Sequence, residues 1–120
     1  MITIICPSRY KINRKSLKSS TVAKLESSGF AKTQFINIVL VGKKKMKDIS
    51  TTYKNEQVAL PVLSFVYNEE DADKRLLGEV LICYPQAVLL AARRGKKVDD
   101  MISDLALHGI DNIIKHLKDA

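Results

Sequence analysis

The stretch VLSFVYNEEDADKRLLGEVLIC, residues 62–83, decides the fold. Its first six residues, all but Ser64 apolar or aromatic, read as a strand. The acidic NEEDADKR (68–75) reads as a solvated turn, and LLGEVLIC (76–83) as a second strand pairing back on the first. Working outward, FINIVLV (35–41) is nearly continuous apolar sequence and predicts a strand buried on both faces. MITIIC (1–6) is β-branched and ends at Pro7, which suits a first strand. Between these strands lie helical patterns. Residues 15–25 carry Leu17, Val22 and Leu25 and stop near Gly29, while 42–54 place Met46, Ile49 and Tyr53 on one face. Downstream, helices are expected over 85–94, ended by Gly95, and over 98–117. A hairpin set among helix–strand alternations gives an α+β fold: a single mixed sheet of about four strands packed by about four helices.

The bulk numbers fit one domain over residues 1–120. Uncharged apolar runs of about eight residues fall far short of the ~20 that span a bilayer. The N-terminal segment lacks the order of a signal peptide, so a cytoplasmic location is expected. Cys6 and Cys83 both sit in strand-like runs without CxxC spacing and read as buried thiols. Twenty Lys+Arg against thirteen Asp+Glu give a formal charge of +7. That excess favours a polyanionic partner, and with no Trp/Phe-rich anchor helix nucleic acid is preferred to a membrane surface. Lys43, Lys44, Lys45 and Lys47 crowd a helix start, where the dipole disfavours cations, so fold stability does not ask for them there. Arg93, Arg94, Lys96 and Lys97 surround a helix end, where cations are locally favourable. Together the two clusters make a candidate RNA-facing surface. With three Phe, four Tyr and no Trp, base-stacking platforms look few, which points to structured RNA.

Both histidines lie in LALHGIDNIIKHL, residues 105–117. They belong either to a metal site or to an ordinary terminal helix. On a continuous helix His108 and His116 stand about 12 Å apart along the axis. Ligands of one zinc ion place their nitrogens only ~3–4 Å apart. Met101, Leu105, His108 and Asn112 form one i, i+3/i+4 line, so His108 and Asn112 are expected to extend an apolar stripe. His116 reads as an exposed residue near a helix C-terminus. Ser64 reads as a strand residue rather than a nucleophile, because no histidine base lies near it in sequence.

The order of elements, together with VLSF (62–65), LLGEVLIC (76–83) and the HG pair at His108 and Gly109, resembles the YbeY family of bacterial rRNA maturation endoribonucleases. The resemblance runs from about Phe35 onward. In that family the pattern reads approximately as a Tyr-Arg turn, PTDVLSFP, a variable loop, LGDIxIC, a helix and HGxLHLxGYDH. It implies a zinc ion held by the three histidines, whose bound water is the nucleophile. Position by position, His108 takes the first histidine place, Asn112 the second and Lys118 the third. Tyr53 and Lys54 stand where the family has its tyrosine and arginine, which makes Lys54 a candidate phosphate contact, without the arginine's bidentate fork. Ala59, Leu60 and Pro61 replace PTD. The resemblance therefore implies a protein of rRNA maturation, associated with ribosomal RNA or a ribosomal subunit surface, that binds structured RNA. Its endoribonuclease activity is expected to be lost or weakened, and no cofactor is expected. The competing reading is an active divergent metal-dependent endoribonuclease with zinc held through His108.

Overall fold

The computed structural model describes residues 1–119. The elements run β1 (Ile2–Ile5), α1 (Arg14–Ser27), β2 (Gln34–Val41), α2 (Lys43–Lys54), β3 (Val62–Asp71), β4 (Lys74–Cys83), α3 (Tyr84–Arg94) and α4 (Val98–Asp119). This is the order the sequence predicts. The strands form one sheet in the order β1-β2-β4-β3, with β3 antiparallel to β4 and the other pairs parallel. One mixed four-stranded sheet with four helices makes the α+β architecture. Among the described residues, no helix is long and apolar enough to cross a membrane.

Local chemistry sets the helix ends. The Asn13 side chain accepts the Ser16 backbone N–H at 3.0 Å and opens α1. The chain leaves α1 through Gly29 at φ +88 and α3 through Gly95 at φ +63, both left-handed positions that favour glycine. Pro85 occupies the first turn of α3, where its missing N–H costs nothing.

The sheet's two faces are covered unequally. On one face lie Ile36, Ile38 and Leu40 of β2 with Val80 and Ile82 of β4, all buried. Against them pack Met101, Ile102, Ala106, Ile110 and Ile113 of α4, with α1 and α3 on its flanks. On the other face a smaller cluster of Val41, Met46, Leu63, Leu81 and Cys83 sits beneath α2 alone. Burial there raises the pKa of the Cys83 thiol. Cys6 is only half-buried, so the expectation of two buried thiols holds for Cys83 alone.

Two sequence expectations are corrected. The strand at 35–41 is not buried on both faces: Ile36, Ile38 and Leu40 are inside, while Phe35, Asn37 and Val39 are half-covered because α2 spans only part of that side. The acidic run is not a loop. It continues β3 to Asp71, pairing with Lys74, and leaves only Ala72 (φ 56) and Asp73 as the connection. Edge strands tolerate such charge because one flank meets solvent. A bulge between Val66 and Glu69 holds Asn68 at φ 51, with Arg75 donating to its carbonyl at 2.9 Å.

Candidate nucleic-acid interface

The site begins with a glycine. Gly109 brings α4 so close to β4 that an added Cβ would lie 2.5 Å from Val80 Cγ1 and 3.1 Å from Ser64 Oγ. The Ser64 hydroxyl donates to the Gly109 carbonyl at 3.1 Å, which pins the helix to β3 as well. That bond commits Ser64 to structure, in line with its reading as a strand residue. With Gly109 at the contact, the buried face of α4 runs through Ile102, Ala106, Gly109, Ile110 and Ile113. His108 and Asn112 are then rotated out to solvent and are exposed. The expected apolar stripe through Met101, Leu105, His108 and Asn112 does not form: Met101 is buried, Leu105 half-buried, and His108 and Asn112 are exposed.

His108, Asn112 and His116 recur every fourth residue and so share one helix face. They line a groove of about 360 Å3 together with Val62, Ser64 and Val66 of β3 and Lys54 from the end of α2. Lys54 sits in the last turn of α2, where its charge suits the helix dipole, and Asn55 ends the helix at φ 53. Among the described residues, no acidic side chain lines the groove. It offers the Lys54 ammonium, two imidazoles and a carboxamide, a donor-rich wall for an anion. His116 is the residue that sequence reasoning missed: it is exposed, as expected, but it belongs to the same groove as His108. The four-residue spacing was the available signal.

The donor set does not fit one zinc ion. Helix α4 runs unbroken over Val98–Asp119, so nothing folds Lys118 or His116 back toward His108. Across two turns the separation stays about 12 Å along the axis. Among the described residues, no group of three His, Cys, Asp or Glu is placed to hold a metal.

The basic clusters separate. Lys43, Lys44 and Lys45 line a hollow of about 760 Å3 with Arg9, Gly42 and Asp48, at the uncapped start of α2. Lys47 is exposed on the same helix but outside that hollow. Arg93, Arg94, Lys96 and Lys97 surround the α3–α4 turn and line neither cavity, and Lys96 is paired with Asp104.

The architecture is thus an α+β domain with a donor-rich groove along its last helix. The signature of the family Endoribonuclease YbeY matches residues 7–114. An Endoribonuclease YbeY of Dehalococcoides mccartyi (strain BAV1) is 25% identical over 122 residues, covering 90% of this chain and 76% of the relative. Another, from Azoarcus sp. (strain BH72), is 31% identical over 80 residues, covering 62% of this chain but only 32% of that relative. The solution structure of TM1509 from Thermotoga maritima superposes with a TM-score of 0.63 at 18% identity, over 95% of this chain and 72% of that one. The chain belongs to the YbeY family, as a divergent member.

Proposed function

We propose that this chain is a cytoplasmic RNA-binding protein of rRNA maturation that holds structured ribosomal RNA, or a ribosomal subunit surface, in the groove between α4 and β3. One observation carries the reading: the wall of Lys54, His108, Asn112 and His116 offers hydrogen-bond donors and, among the described residues, no carboxylate. Lys54 supplies a point charge for a phosphate, and the imidazole N–H groups donate to its oxygens. Lys43, Lys44 and Lys45 stand at the other end of α2 and line no part of this groove. The relatives named Endoribonuclease YbeY support the process. Cleavage on a bound metal ion is not part of the reading, because His108 and His116 lie too far apart on α4 to share one ion and, among the described residues, no three ligands are gathered.

Fluorescence anisotropy with an rRNA precursor fragment across a salt series tests it. Lys54→Glu is expected to weaken binding and to flatten the log–log salt slope by about one unit. Affinity and slope unchanged in that variant would remove the groove from RNA binding. Elemental analysis gives the other arm. About one equivalent of zinc, lost in His108→Ala together with precursor cleavage, would replace this reading with the metal-dependent endoribonuclease.

A further inference from the structure

The opposite face of the sheet carries a second feature that the groove does not use. Along β3 the side chains alternate, so Val62, Ser64 and Val66 face the groove, while Phe65 and Tyr67 line the other side and Leu63 is buried there with Met46 of α2. Helix α2 covers Leu63 and stops short of the rest. Its last exposed ring, Tyr53, stands edge-on to Phe65 with ring centroids 5.2 Å apart. Tyr53 is 65% exposed, Tyr67 39% and Ile5, on the far bank, 48%. These residues, with Val39 and Leu81 as floor, form a trough of about 560 Å3. The trough is continuous with the cationic hollow, because Ile5, Val39, Val41 and Lys45 line both. One end is therefore aromatic and the other is Arg9 with Lys43 and Lys44. Glu79 stands on the aromatic part of the floor. Its Oε1 accepts the Tyr67 hydroxyl at 3.0 Å and its Oε2 accepts Asn37 Nδ2 at 3.1 Å. Each carboxylate oxygen keeps a lone pair free for a further donor.

We propose that this trough binds single-stranded RNA carrying an unpaired guanine. The base stacks on Tyr53 and Tyr67, Glu79 accepts from it, and Lys43, Lys44, Lys45 and Arg9 hold the neighbouring phosphates. Three observations make RNA the occupant. Exposed aromatic rings on a sheet face are what an unstacked base needs, since every base has a π-face. The cationic end matches a phosphate backbone that leaves the aromatic end. The carboxylate fixed between two donors can take two parallel N–H groups, and guanine presents N1–H and N2–H side by side on its Watson–Crick edge. The acidic Glu69, Glu70 and Asp71 at the hairpin end would repel phosphate there, so the backbone runs toward the lysines. The aromatic residues are few in the sequence, but the fold gathers three of the seven here.

The proposal is independent of the groove reading, and its test separates them. The chain has no tryptophan, so its emission comes from Tyr10, Tyr53, Tyr67 and Tyr84, and the quenching that Tyr53→Ala, Tyr67→Ala removes is the part that reports on the trough. Titration of the full chain with a short unstructured oligoribonucleotide containing guanine is expected to quench that emission. Replacing its guanines by inosine, which lacks the N2 amino group, is expected to weaken binding several-fold, and uracil more. The double variant Tyr53→Ala, Tyr67→Ala is expected to bind about tenfold more weakly, and Glu79→Gln to lose the preference for guanine over inosine. Both tyrosines are exposed, and a thermal melt confirms that each variant is folded. Lys54→Glu, altered only in the groove, is expected to keep the quenching. Equal affinity for guanine and uracil oligomers, or full binding by the double tyrosine variant, would overturn the proposal. So would sedimentation showing a dimer that Tyr67→Ala dissociates, since a second copy would then fill the trough.

Discussion

Gly109→Ala turns the seating of α4 into a measurement whose sign is the test. In an exposed helix interior, glycine to alanine stabilises by about 0.5–1 kcal/mol, because alanine loses less backbone freedom on folding. Here the new methyl would lie 2.5 and 2.9 Å from the two methyls of Val80, which is itself fully buried. Carbon atoms prefer a separation of about 3.5–4 Å, so α4 must retreat by roughly 1 Å. Overpacking of that kind costs about 1–3 kcal/mol. The retreat also stretches the bond from the Ser64 hydroxyl to the Gly109 carbonyl, a contribution near 1 kcal/mol. The clash outweighs the propensity gain, for a net loss of about 1–3 kcal/mol. In a domain of this size that lowers Tm by about 5–10 °C, readable by circular dichroism. Val80→Ala in the same chain makes room for the methyl, so the double variant should be less destabilised than the sum of the two single changes. A Gly109→Ala protein melting at or above the parent temperature would refute the close approach and the account of why His108 faces outward.

Two further outcomes are expected. Burial first, then the hydrogen bond to Glu79, pushes the Tyr67 pKa up from 10.0 to about 12. The unfolded chain loses that proton first, so Tyr67 contributes nothing to pH dependence below about pH 10 and its effect is a fall in stability between 10.0 and about 12. Ultraviolet absorbance should show one late-titrating tyrosine, and Tyr67→Phe should remove it. For metal removal, incubation with a chelator is expected to leave the thermal melt unchanged, because no described trio of ligands ties elements together. A drop in Tm restored by added zinc would contradict that reading.

Much of the fold was legible because strand and helix periods differ so clearly in this chain. FINIVLV and VLSFVY have no helical reading, and Gly29, Gly95 and Pro85 mark helix ends by their backbone limits. The failures have particular causes. The acidic run 68–75 reads as a turn because charge usually means loop, yet on an edge strand charge is compatible with a ladder, and only Ala72 and Asp73 turn. The buried face of α4 is hidden in the sequence because glycine counts as neutral in an apolar pattern, while Gly109 packs directly on Val80. At the site, the resemblance singled out Lys54 and His108. That they share a groove depends on where the end of α2 meets α4, and no local spacing carries that. The gathering of Tyr53, Phe65 and Tyr67 was hidden for the same reason.

The position of β3 at the border of the sheet has a consequence for how this protein behaves among its own copies. A border strand of ten residues offers a long row of unpaired amides to any passing chain. The outer half of this one carries Glu69, Glu70 and Asp71, and the Asn68 bulge bends it off a straight line. An incoming strand would bring like charges face to face across a broken register. The opposite border, β1, is only four residues long. The acidic hairpin therefore guards against edge-to-edge aggregation, and protonating its carboxylates weakens that guard.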